Sequence, residues 1–191
     1  AGNRYQPGPG ADVTTHDFEN NGYFIPNGNT IRVSGSWDNN ATATMATSSL
    51  IFTATSTTET LDDTGATSTP AYYNVTFGET SGTATWSLSS NLDIDGALAV
   101  SYGTLARSTR TLTLAGSLTN GASGLWTGVG TTTFDGSVAA GWSDAAVTKQ
   151  NIGNAVIDGT SKTVTFGSNV RAQSITIGAD DILDASATGF D

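Results

Sequence analysis

The sequence predicts an all-β fold, a parallel β-helix or solenoid of about eight rungs, on three observations. A pair of inward-type residues flanking one variable position, often followed within two residues by Gly, occurs eight times. The pairs are Ile31/Val33, Leu50/Phe52, Val75/Phe77, Leu92/Ile94, Leu112/Leu114, Thr132/Phe134, Ala155/Ile157 and Ile175/Ile177. Their second members recur roughly every 21 residues, a period that marks stacked repeats. No stretch carries a persuasive amphipathic helical pattern. Alternation with period two buries one face of a strand, and a strand that returns once per turn coils the chain into rungs that stack on their neighbours. On this reading Val33, Phe77, Ile94, Leu114, Phe134, Ile157 and Ile177 line one narrow core in register.

A longer period overlies the short one. A shift of about 81 residues lays Ile31, Val33, Gly35 and Asn39 over Leu112, Leu114, Gly116 and Asn120. With small slips, Phe52 then meets Phe134, Phe77 meets Ile157 and Ile94 meets Ile177. Four rungs duplicated as one block account for this, with slips absorbed in loops. Two tandem β-sandwich domains of about 81 residues are the alternative fold. The solenoid is favoured because the short step persists across the block boundary.

In chain order, residues 1–17 hold two of the four Pro and no alternation, and read as an extended leader or linker. The repeat domain covers 18–185, as two related blocks at about 18–100 and 101–185. Between its second and third rungs, Thr53 to Pro70 is rich in Ser and Thr and reads as the longest loop. Residues 186–191 form a polar tail.

Composition narrows the function classes. Ser and Thr make up more than a quarter of the chain, which also holds 23 Gly. Thr suits strands, whereas Gly, Asn, Asp and Ser suit tight corners. Regularly spaced Ile, Leu, Val and Phe with four Trp argue against disorder. The net charge of −10 with only seven Lys and Arg excludes a basic nucleic-acid footprint, and disfavours an anionic membrane surface. No run of eighteen apolar residues is present to insert into a bilayer. With no Cys, thiolate metal sites, Cys catalysis and disulfides fall away together.

The segments Phe18 to Phe24, Val33 to Asn39, Tyr73 to Phe77, Thr111 to Asn120 and Gly130 to Ser137 resemble the repeats of large bacterial surface proteins. The resemblance covers roughly residues 18–185. It implies a right-handed parallel β-helix of adhesin or autotransporter-stalk type, placed outside the cell or on its surface. It carries over no catalytic residue, because such families share a scaffold rather than a reaction.

Sites are sought on outward positions, which stacking aligns about 4.8 Å apart. One column contains Asp95, Asp135 and Asp158, with Asp93 beside it. Stacked carboxylates repel unless a cation intervenes, and hard oxygen donors suit Ca²⁺, the one cofactor this pattern suggests. The competing reading, turn-forming solubilising Asp residues, is favoured because no calcium-loop motif accompanies them. A second column is Thr-rich, from Thr113 and Thr133 to Thr176, and suggests ice binding as a third function, although Arg32, Ile51, Asp93 and Val156 interrupt it. Trp126, Trp142, Tyr72 and Tyr73 are candidate stacking platforms for a polysaccharide, against which stands the ordinary core role of such rings.

Catalytic constellations are poor. The only His is His16, so no Ser-His-Asp triad or multi-His metal centre is expected. A polysaccharide lyase or glycosidase using Asp93 and Asp95, with Lys162 or Arg171 as cation, is the enzyme alternative. The leading expectation is mechanical: a stalk segment, or a self-assembling filament or surface-layer subunit with an adhesive role. Its partners would be other copies or adjoining repeats. The expected assembly edges are Phe18, Tyr23, Ile31 and Val33 at one end, and Ile175, Ile177, Ile182 and Leu183 at the other.

Overall fold

Short alternating segments separated by Gly, Asn and Asp corners fold into stacked strands. The computed structural model describes residues 3–67 and 70–186. Among them all regular structure is β, coiled into about nine turns. The first turn comprises β1 (Arg4–Tyr5), β2 (Val13–Thr15) and β3 (Phe18–Asn20). The second holds β4 (Tyr23–Phe24), β5 (Thr30–Val33) and β6 (Trp37–Asn39), and the third β7 (Thr42–Ala43), β8 (Ser49–Phe52) and β9 (Thr58–Asp62). The fourth holds β10 (Ala71–Tyr72), β11 (Asn74–Phe77) and β12 (Thr85–Leu88).

From the fifth turn onward each turn has two strands. They are β13 (Leu92–Ile94) with β14 (Leu98–Ala106), β15 (Leu112–Leu114) with β16 (Leu118–Thr127), and β17 (Thr131–Phe134) with β18 (Ala140–Asp144). The last two turns are β19 (Asn154–Ile157) with β20 (Thr163–Phe166), and β21 (Ser174–Ile177) with β22 (Ile182–Asp184). The ladders between successive turns are parallel, from β1 on β4 to β20 on β22. A β-sandwich needs antiparallel pairs, so the tandem-sandwich alternative is excluded.

One continuous hydrophobic cluster runs from Phe24 to Val164. Its rings stack along the axis: Phe52 lies on Phe77 with centroids 4.8 Å apart and planes within 6°, and Phe18 on Trp37 at 4.1 Å and 13°. Such stacking adds to area burial at each turn. The expected core residues are all in this cluster except Ile177, but they do not form one column. Val33 pairs with Phe52, Phe52 with Phe77, and Phe77 with Val100. Ile94 belongs to another sheet, in the column Tyr72, Ile94, Leu114, Phe134, Ile157 and Ile177. The repeated motif therefore switches side between Phe77 and Ile94.

Two further expectations are corrected. Residues 4–15 are not a free leader: β1 pairs with β4 and β2 with β5, and the Tyr5 ring stacks on Phe24. The Asn29 side chain binds this turn, accepting from Gly10 N and donating to Gly8 O. Residues 53–70 are not one loop either, because β9 lies within them and pairs with β6 and β12. Glu59 takes an inward position of β9 and accepts from Ser36 Oγ at 2.8 Å, so a charge hides the alternation. Of the polar tail, residues 187–191 lie outside the described residues.

Candidate functional site

Asp93 sits outward on β13 between buried Leu92 and Ile94, in register with Thr113, Thr133, Val156 and Thr176. Asp95, Asp135 and Asp158 each follow the last residue of their strand. Their amides donate to carbonyls of the preceding turn: Asp95 to Tyr72, Asp135 to Leu114 and Asp158 to Phe134. The sequence thus aligns the column correctly, with Ala115 between Asp95 and Asp135.

Burial pushes the Asp93 carboxyl up, and the charges of Asp95 and Asp135 push it further. Burial also raises Asp135, opposed by Lys162 and reinforced by Asp95. Lys162 is fully buried and its ammonium donates to the carbonyl of Ala115, the residue between the two acidic positions. Burial lowers its pKa, while Asp135 and Asp181 hold it up. The Lys162 charge thus opposes the rise at Asp135 without outweighing burial, while its hydrogen bond goes to the Ala115 carbonyl. Asp158 is exposed on the next turn. Among the described residues no three or more acidic or His side chains converge on a metal-sized point. Arg171 lies elsewhere, its backbone in an isolated bridge with Asn151.

The aromatic candidates separate sharply. Tyr72 and Trp142 are 1% exposed, core residues with no ring face left for a sugar. Trp126 is buried as well, its indole N–H donating to Asn120 Oδ1 at 2.9 Å. The Arg107 guanidinium sits 5.7 Å from its ring centre. Only Tyr73 is exposed, at 38%. The glycines flanking Trp126 serve close approach of adjacent turns, whereas Gly141 beside Trp142 has room for a Cβ at ordinary contact distance. A Cβ at Gly124, for example, would meet the Val100 carbonyl.

The ends also differ from expectation. Ile31 and Val33 are fully buried because β2 covers β5, so they form no edge. Phe18 is half-buried on Trp37 and Tyr23 is 50% exposed. At the other end Ile175, Ile177 and Ile182 are 43%, 46% and 56% exposed, with Leu183 half-buried. These positions continue columns that are closed in the turn before, where Ala155 and Ile157 are buried.

Sequence reasoning missed the polar ladders at the corners. Asn20 Nδ2 donates to Asn39 Oδ1 at 2.7 Å, and one turn on Asp63 accepts from Trp37 Nε1 at 3.3 Å and from the Tyr72 hydroxyl at 2.8 Å. Burial pushes the Asp63 carboxyl up, partly offset by these donors. It also pushes the Tyr72 phenol up, reinforced by Asp63. Asn120 Nδ2 donates to Asp144 Oδ1 at 2.9 Å in a second such ladder. The signal was present as an apolar residue two positions before Asn or Asp: Phe18/Asn20, Trp37/Asn39, Leu118/Asn120 and Trp142/Asp144. Comparison with protein families, curated proteins and solved structures finds no match to the chain.

Proposed function

We propose that this chain is an extracellular structural protein, a stalk segment or self-assembling filament or surface-layer subunit with an adhesive role. The observation that carries the reading is the end formed by β21 and β22. Both strands are paired on one side, and Ile175, Ile177 and Ile182 are exposed beside them. One more turn, from adjoining chain or another copy, would bury these residues and complete the free backbone edges. Extension by stacking is intrinsic to a solenoid, since each turn contacts only its neighbours and stability accumulates along the axis. The few Lys and Arg leave the net charge at −10, a solubilising charge for a surface-exposed rod.

The test is sedimentation velocity of the full chain across a wide concentration range, with electron microscopy of the same samples. Concentration-dependent end-to-end species support self-assembly. A strictly monomeric chain at high concentration overturns it and leaves the stalk-segment form. Fractionation of the producing cell with an antibody to this chain checks the location, and recovery only inside the cytoplasm overturns the extracellular assignment.

A further inference from the structure

A groove of about 430 Å³ opens on the side of turns four to six, far from both ends. Its walls carry Ser81, Thr83, Tyr102, Thr104, Ser123 and Leu125. Two features of the backbone create it. The β14 and β16 strands run nine and ten residues without a break, and their register shifts between Val100 and Tyr102. Such a bulge bends a strand and re-aims the side chains beyond it. Gly103 follows with φ 73°, and a Cβ there would strike the Ala84 carbonyl and the Trp86 ring. The floor is thus bare backbone by necessity, and only the walls bear side chains.

The register places the walls in order along the axis. Tyr102 lies beside Ser123, and Thr104 lies between Thr85 and Leu125. Tyr102 and Ser123 thus put hydroxyl-bearing residues on adjacent turns, whose backbones lie about 4.8 Å apart, close to the length of one pyranose unit. The half-buried Tyr102 adds an amphipathic ring, and Leu125, 47% exposed, adds an apolar surface. The six wall residues include no Asp, Glu, Lys, Arg or His, on a chain whose net charge is −10.

This chemistry selects among occupants. An anionic polymer would meet no cation on the walls and a repulsive overall field. A peptide binding by strand addition needs a free edge, but β14 is paired on one side with β12 and on the other with β16. A neutral sugar needs hydroxyl partners and a ring or aliphatic face to cover its apolar side, and both are present. The volume falls within the ~300–1,000 Å³ typical of small-ligand sites.

We infer that the groove around Tyr102 and Ser123 binds a neutral oligosaccharide laid along the solenoid axis. The inference rests on the adhesive part of the proposed function and is independent of end-to-end association, because binding is read on the monomer. The experiment is isothermal titration calorimetry with cellohexaose, xylohexaose and mannohexaose in turn, and with polygalacturonate as the charged comparison. Saturable binding of at least one neutral hexasaccharide is expected. Ser123→Arg fills the groove from an exposed position, and Tyr102→Ala removes the ring; each should weaken binding at least tenfold. Val147→Ala, fully exposed and outside the groove, should leave binding unchanged. Unchanged melting temperature of Ser123→Arg shows that the variant is folded. Absence of binding for all three neutral sugars at millimolar concentration overturns the inference, as does equal binding by folded Ser123→Arg, or preference for polygalacturonate.

Discussion

Arg107 places its guanidinium 5.7 Å from the centre of the Trp126 ring while donating to the carbonyl of Ile152, which lies beyond the turn of Trp126. The same group also donates to Gly130 O, Thr131 O and Thr132 Oγ1. One side chain, 0% exposed, thus ties three successive turns together through carbonyls and one hydroxyl. Burial lowers its pKa to about 10, so it remains charged at neutral pH. A planar five-donor fork suits this task in a way a point ammonium does not.

Arg107→Met should therefore cost about 3 kcal/mol, because it strands several buried carbonyls. At roughly 2–4 °C per kcal/mol for a domain of this size, thermal melting followed by circular dichroism should drop by about 6–12 °C. Arg107→Lys should recover only a small part. Full recovery by Lys would show that charge rather than fork geometry holds the turns.

Asp63 offers a pH test. Its folded pKa is raised above 3.8 by burial, so the fold disfavours the ionised form. The native state then binds its proton more readily than the unfolded chain, and wild type gains stability relative to Asp63→Asn as pH falls through the raised pKa toward 3.8. The melting-temperature difference, wild type minus Asp63→Asn, should increase from pH 7 to pH 4. A difference that shrinks over this range would reverse the sign and place the carboxylate in a net stabilising field.

The acidic column makes a separate claim. With Lys162 as the internal counter-charge of Asp135, wild type should melt at the same temperature in EDTA and in millimolar CaCl₂. Lys162→Met should be destabilised most at pH 7, because Asp135 loses the charge that holds its pKa down. The deficit should narrow as pH falls through the raised carboxylate pKa values of Asp93 and Asp135, where protonation relieves the repulsion. An EDTA-induced drop in wild type, abolished by Asp158→Ala, would instead establish a bound cation.

These residues also show what a one-dimensional reading can recover. Val33 and Leu114 match under the 81-residue shift, yet Val33 pairs with Phe52 in one sheet and Leu114 with Phe134 in another. A strand with two inward residues and a Gly corner serves any side of the coil. The motif therefore encodes strand and corner, while side is decided by how many residues fill the intervening corners. Asp93 and Thr113 were aligned correctly because the steps from Leu92 onward stay on one side. The groove was illegible because its floor depends on a register shift at Val100 and Tyr102, which no local pattern announces. The platforms failed for a related reason: Trp142 has the same local sequence character whether it points into the core or away from it, and it points in.

The open end allows assembly and folding to be separated by position. Ile177 and Ile157 are register partners in β21 and β19, 46% and 0% exposed. A lysine at Ile157 would bury an unpaired charge at a cost above about 4 kcal/mol, and Ile157→Lys should fail to fold. Ile177→Lys can direct its ammonium to solvent while its stem lies over the core, so melting of the monomer should change by less than about 1 kcal/mol equivalent. The same charge would have to be desolvated when another turn stacks on β21. Sedimentation should consequently show Ile177→Lys monomeric at concentrations where wild type associates, with matching circular dichroism spectra. Association of Ile177→Lys at wild-type strength would move the contact away from this end of the solenoid.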